Sequence, residues 1–252
     1  VAAASGSYSY DTVLVDLIGT TPFAAAGWLV DVTEEIPEQD KDDIFPMVLD
    51  AVSYEGKVYG MPWINEWEYF FYNQAYLDEA GIDGPPESWE GMLDMARTLK
   101  SEGVVDHAYV DAWQQGEALT IEFLKYLSAF GGSLLDENNE PAINNEVGLK
   151  TVNFMLDGLE AGVFHPASLE AEYEEVRNTF SQGSAAFADN WPYMFALSKD
   201  PDESRVAGDV HVGLIHGSGD IRSTSVYGGM GLSVLSRSPT PDVACDYILH
   251  LA

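Results

Sequence analysis

Residues 58–73 read VYGMPWINEWEYFFYN. The stretch holds Trp63, Trp67, Phe70, Phe71, Tyr59, Tyr69 and Tyr72, with Glu66 and Glu68 set among them. Aromatic side chains favour strands because they pack well on a pleated surface. GKVYGMPW (56–63) reads as a hairpin or strand leaving a turn at Gly56, and residues 68–72 as a second strand. Two carboxylates among so many rings pose a choice between an aromatic core strand and the wall of a binding site.

Outward from this stretch, strands and helices alternate. NQAYLDEAGI (73–82) predicts a short helix stopped at Gly81. In PPESWEGMLDMARTLKSEG (85–103), Ser88 is the expected N-cap and Gly103 closes the helix. Trp89, Met92, Leu93, Ala96 and Leu99 fall on one face at 3.6-residue spacing. ALTIEFLKYLSAFGG (118–132) repeats the pattern with Thr120, Phe123, Leu124, Leu127 and Phe130. Further helices are expected in NNEVGLKTVNFMLDGLEAG (144–162), in SLEAEYEEVRNTFSQG (168–183) with Ser168 as cap, and in the closing PDVACDYILHLA (241–252). TVLVDL (12–17) predicts a buried strand, followed by a short helix within PFAAAGWLVDVTEEI (22–36) that ends at Gly27. SAAFADN (184–190), DVHVGLI (209–215) and GMGLSVLS (229–236) read as later strands. This alternation specifies an α/β architecture.

The 252 residues suffice for one large or two ordinary domains. They carry 42 Asp and Glu against 11 Lys and Arg, a net charge of -31. Nucleic acid and anionic lipid both require a positive face, so neither is an expected partner. The acids lie among regular apolar positions, which describes a folded domain with an acidic surface, suited to salt that screens self-repulsion. A salt-loving source is the expectation. The single cysteine, Cys245, allows no internal disulfide and reads as a core residue. No run approaches the ~20 apolar residues of a membrane span, and no secretory leader opens the chain. The abrupt start and the end inside a helix suggest a fragment.

Chemical motifs are sparse. His107, His165, His211, His216 and His250 show no ligand spacing, so neither a metal nor a cofactor is expected. DENNEPAINNE (136–146) lacks the order of acids and glycine of a calcium loop and reads as a solvated loop. GSGDIRS (217–223) and GGMGLS (228–233) lack the spacing of phosphate-binding loops. There is no GxSxG elbow, and Ser233 has no assignable base. Trp63, Trp67, Trp113 and Trp191 lie near glycines, prolines or strand ends, whereas Trp28 and Trp89 read as packing residues. Trp and Tyr cover the C–H faces of a pyranose while Asp, Glu, Asn and Gln take its hydroxyls. A carbohydrate is therefore the expected ligand. A glycosidase acting through Glu66 and a protein that only holds a sugar would share these residue types.

Four stretches in order resemble the extracellular solute-binding proteins of ABC transporters, family 1, the group of the maltose-binding proteins. They are DTVLVDLIGTTPFAAAGWLVDVTEEI (11–36), then YEGKVYGMPW (54–63) with FFYNQAYLDEAGIDGPPESWEGMLDMARTLK (70–100), then NTFSQGSAAFADNWPY (178–193), then YGGMGLSVLSRSPTPDVACDYILHLA (227–252). The second and third are the specific ones.

The resemblance implies a two-lobed periplasmic-binding-protein-like α/β fold of type II, with a ligand cleft between lobes joined by hinge crossings. The first lobe would comprise residues 1–70, incomplete at its N-terminal side. The second would run over 73–226, and 229–252 would return to the first. The family's pattern carries over to Trp63, Asn65, Glu66 and Trp67 before the first crossing, and to Trp113, Gln114, Gln115 and Glu117 in a loop before a long helix. It also carries over to Trp191 or Tyr193 in a turn where the family has Gly-Pro-Trp, and to Gly228, Gly229 and Met230 at the second crossing. Thr20 is a further candidate. Met230 stands where the family often has an aromatic, which makes a softer wall. The implied protein is a non-catalytic, monomeric sugar-capturing component of an importer. It would lie outside the cell or in the periplasm, anchored through a lipid on a missing N-terminus, and would partner membrane permease subunits. A polyol, a glycerol phosphodiester or another small solute such as a metal complex is the alternative ligand.

Overall fold

The computed structural model describes residues 10–251. The opening residues and Ala252, on which the reading of an abrupt start and end rests in part, lie outside the described residues. The chain forms two compact units, one of Val1–Glu66 with Tyr227–Ala252, the other of Trp67–Val226. The strands are β1 (Thr12–Asp16), β2 (Ser53–Tyr54), β3 (Lys57–Val58), β4 (Met61–Trp67), β5 (Tyr69–Asn73), β6 (Tyr109–Val110), β7 (Phe187–Asn190), β8 (Val210–Gly213) and β9 (Tyr227–Val234).

In the first unit the strand order is β1-β9-β4. Strand β1 runs antiparallel to β9, from Thr12 opposite Val234 to Asp16 opposite Met230. The central strand β9 lies too close to its neighbours for side chains at every position. A Cβ on Gly231 would crowd Val52, and one on Gly60 would meet Ser233 and the Leu232 backbone. Val32, Ile36, Val52, Val58, Met61, Val234, Ala244, Cys245 and Ile248 form the core here. Cys245 is a buried free thiol among them.

The expected burial of β1 needs correction. As an edge strand it buries Val15 and leaves Leu14 exposed. The helix after it starts earlier than expected, spanning Leu17–Ala25, because the Asp16 carboxylate accepts from the Ile18 amide at 3.1 Å and caps it.

The second unit is built on a sheet of order β6-β7-β5-β8. Strand β5 is antiparallel to β7 and to β8, while β6 and β7 are parallel. The helix Trp89–Ser101 follows its sequence pattern. Ser88 Oγ accepts from the Gly91 amide at 3.1 Å, and Trp89, Met92, Ala96 and Leu99 are buried. The helix Glu146–Glu160 is capped by Asn145, whose side chain accepts from Gly148 at 2.9 Å. Ser168 caps no helix. It lies buried within a 3-10 turn, Pro166–Glu170, where its Oγ accepts from the Asp111 amide at 3.1 Å. The helix that follows is Tyr173–Ser181, and its Glu175 carboxylate reaches back to the Glu172 amide at 3.2 Å.

The largest departure concerns the helix Glu117–Ala129. Apolar spacing pointed to a face of Thr120, Phe123, Leu124, Leu127 and Phe130. Leu127 is buried and Phe123 and Phe130 pack half-buried on the core, but Ala118, Glu122, Lys125, Tyr126 and Ala129 are buried as well. Thr120 is exposed and donates its hydroxyl to the Gly116 carbonyl at 2.9 Å. The helix turns a charged edge inward because the sheet presents carboxylates to it.

Candidate functional site

Met61, Trp63 and Asn65 share one face of strand β4; Met61 is buried at its start, while Trp63, 45% exposed, and Asn65 stand exposed further along. Glu66 is half-buried, and burial pushes its carboxyl up from the usual range. Trp67, also half-buried, ends the strand. Gly229 and Met230 belong to β9, the neighbour of β4 in the sheet. Gly229 is buried, and a Cβ there would crowd the Tyr227 hydroxyl at 2.6 Å. Gly228 and Met230 are half-buried. Thr20 is 3% exposed and so is not a surface residue.

In the second unit, Trp191 and Tyr193 follow β7. The Trp191 amide donates to Asn190 Oδ1 at 2.8 Å, and its ring lies edge-on to Tyr173 at 5.5 Å. Tyr173 is tied back to the same strand end, since its carbonyl accepts from Asn190 Nδ2 at 2.8 Å. Tyr193 is exposed; burial, and then a bond to Glu174, push its hydroxyl well above the usual range. Gln114, Gln115 and Glu117 are exposed around Gly116, whose φ of 156° turns the chain into the helix Glu117–Ala129. Gln114 Nε2 donates to the Glu170 carbonyl at 3.3 Å.

Trp113 differs from the other candidate aromatics. It is 4% exposed, its ring packs on Phe164 at 4.6 Å, and its Nε1 donates to Asp111 Oδ2 at 2.9 Å. Packing and this bond define its position.

Composition and motif spacing missed the charged centre beneath these segments. Lys125, wholly buried, contacts Asp189 Oδ2 at 2.8 Å, both Asp111 oxygens at 3.3 Å, and Glu122. Asp111 also accepts from the Ala112 amide at 3.0 Å and from the Tyr126 hydroxyl. Glu68, 2% exposed, faces the Glu122 carboxyl. Burial pushes Glu68 up to about 7 and Asp189 up to about 6, in both cases against the pull of Lys125. Burial likewise holds Glu122 well above the carboxylate range. For Lys125, burial favours the neutral amine, but Asp111, Asp189 and Glu122 outweigh it and keep the ammonium charged. The one sequence signal was Lys125 itself, a basic residue on the apolar helix of a chain that has few.

Of the scattered histidines, His216 packs against Phe70 at 4.3 Å, and burial lowers it to about 4. Among the described residues no group of three His, Cys, Asp or Glu side chains is arranged to hold a metal ion. The 136–146 loop closes on itself: Asp136 Oδ1 accepts from the amides of Asn138 at 2.8 Å and Glu140 at 3.0 Å. No described helix is long and apolar enough to cross a membrane.

A probable ABC transporter-binding protein of Deinococcus radiodurans is 28% identical over 250 residues, covering 97% of this chain and 57% of the relative. Maltose-bound T. maritima MalE3 superposes with a TM-score of 0.90 at 26% identity, over 99% of this chain and 64% of the other. A solute-binding protein of Thermotoga lettingae bound with alpha-D-tagatose gives 0.86 at 28% identity, again over 99% and 64%. The chain thus spans less than two thirds of the length of these relatives, and its fold is the mixed α/β fold of periplasmic binding proteins. Residues 1–251 match the family model of the bacterial extracellular solute-binding proteins, and the chain belongs to that family.

Proposed function

We propose that this protein captures a sugar or oligosaccharide for an ABC importer, by binding alone and without catalysis. The observation that carries the reading is the exposure of large aromatics beside hydroxyl-binding groups. Trp63 stands out from β4 next to Asn65, and Tyr193 is exposed after β7. Trp63, Asn65, Glu66, Gly229 and Met230 of the first unit and Trp67, Gln114, Gln115, Glu117, Trp191 and Tyr193 of the second are the proposed ligand residues. Trp113 contributes through position, because its indole is packed. Stacking on C–H faces and side-chain hydrogen bonds to hydroxyls suffice for micromolar affinity, about -8 kcal/mol. The similarity to a maltose-bound and a tagatose-bound protein supports this class of ligand. Membrane permease subunits are the proposed partners, by membership of the family.

Met230, half-buried where an aromatic would stack better, favours a linear polyol as the second reading. Isothermal titration against maltose, maltotriose, tagatose and mannitol tests both. Binding of a sugar confirms the first reading and of mannitol alone the second. Silence across the panel removes both.

A further inference from the structure

Four carboxyl groups and one ammonium are buried together in the second unit, and the proposed binding segments of that unit leave from them. Glu68 directly follows Trp67. Asp111 precedes Trp113 by two residues and binds its indole at 2.9 Å. Asp189 precedes Trp191 by two residues. Glu122 and Lys125 lie on the helix whose first turn carries Glu117. We propose that Lys125 is a positioning residue for ligand binding, holding the ends of β5, β6 and β7 through a buried centre that also stores a proton between Glu68 and Glu122. This rests on the binding role proposed above and extends it to residues that never touch ligand.

The geometry requires a stored proton. Among the described protein groups, no N–H or ammonium donates to either oxygen of Glu68 or to Glu122 Oε1. Two buried ionised carboxylates facing each other repel, whereas one proton between them turns the contact into a hydrogen bond. A single ammonium cannot neutralise Glu68, Asp111, Glu122 and Asp189 together. The groups facing Glu68 are Lys125 and Glu122 from the helix, Asp189 from β7 and Asp111 after β6; Tyr173 faces it from the helix Tyr173–Ser181. Apart from Lys125 all are acids or a phenol. Loss of the proton near pH 7 therefore adds a charge that only Lys125 opposes, and Lys125 is already shared among Asp111, Asp189 and Glu122. The strand ends then loosen. Tyr173, which braces Trp191 at 5.5 Å, relays the disturbance to that ring.

The test uses the whole chain, with Glu68→Gln as the main variant. Glutamine keeps the shape of a protonated carboxyl and donates permanently to Glu122. Near-UV circular dichroism of the unliganded protein, followed from pH 5.5 to 8.5, is expected to show a tryptophan transition near pH 7 in the wild type and none in Glu68→Gln. Affinity for the sugar that binds is expected to fall about tenfold across this range, one pKa unit of coupling, and to stay flat in Glu68→Gln. Lys125→Met is expected to lower affinity about tenfold or more at pH 6 while far-UV dichroism stays native. The proposal is overturned if the wild type shows no dichroic transition, if Glu68→Gln keeps it, or if Lys125→Met binds with wild-type affinity. If Lys125→Met does not fold, the two Glu68→Gln readings decide. A dichroic transition without sugar binding leaves the proton store standing and removes the sugar reading alone.

Discussion

The indole of Trp113 and the carboxylate of Asp111 are joined at 2.9 Å, two residues apart on one buried segment. A backbone amide, a phenol and an ammonium complete the surroundings of the same carboxylate. Asp111→Ala would leave the Trp113 indole, the Ala112 amide and the Tyr126 hydroxyl without this acceptor and remove one of the ion-pair partners of Lys125. Removing one partner of a buried ion pair costs about 3–5 kcal/mol. Urea unfolding should show a loss of this size with an unchanged m-value, and Asp111→Asn should retain part of it through the remaining hydrogen bonds.

Trp63→Ala separates binding from folding. The side chain is 45% exposed, so its truncation should move stability by no more than about 0.5 kcal/mol. Affinity for the ligand should fall by about 0.5–1.5 kcal/mol beyond area loss if the ring stacks on a sugar face. Calorimetric titration beside a urea curve gives both numbers, and unchanged affinity removes Trp63 from the site.

Gly148→Ala sets local propensity against packing. Alanine in a helix interior gains about 1 kcal/mol over glycine. A Cβ here would collide with the Ile143 backbone carbonyl, close to the Asn145 cap. Backbone cannot yield as a side-chain tip does, so overpacking of about 1–3 kcal/mol wins and the variant should unfold at lower urea.

Stability should fall as pH rises through the window set by the buried acids. Glu68 lies near 7 in the folded chain against 4.5 for its ordinary value, and Asp189 near 6 against 3.8. Between these limits the folded state holds protons that the unfolded state has released, so each unit of pH costs stability. His216, lowered to about 4 from 6.5, acts in the opposite direction because its folded form refuses a proton. The Glu68 contribution is isolated by difference: urea midpoints of Glu68→Gln should gain on wild type from pH 5 to pH 7.5.

Salt should stabilise the fold. A net charge of -31 repels itself, and the screening length contracts from about 10 Å at 0.1 M to about 3 Å at 1 M. Thermal scans in 0.1 M and 2 M potassium chloride should show a rise in midpoint. A lower midpoint in high salt would contradict the surface reading.

Sequence by itself determined what depends on neighbours along the chain. Ser88 and Asn145 cap their helices because a short polar side chain needs only its own next turn to bind. Trp89, Met92, Ala96 and Leu99 face one core because helical geometry aligns them. The ordered motifs from 11 to 252 carried the family. The proposed binding residues were legible only as types, since nothing local separates an exposed Trp63 from a packed Trp113.

Tertiary structure alone decided the rest. The second, charged buried edge of the helix Glu117–Ala129 was missed because apolar spacing assumes an apolar neighbour, and this helix meets Asp111, Asp189 and Glu68 beside strands β6, β7 and β5. Residues 12–17 read as buried because β-branched residues do not reveal which strand becomes an edge. Ser168 read as a cap because the 3-10 turn that buries it is fixed by its bond with Asp111. A buried charge is tolerable only among its partners, and the partners of Lys125 come together only when β5, β6 and β7 are side by side.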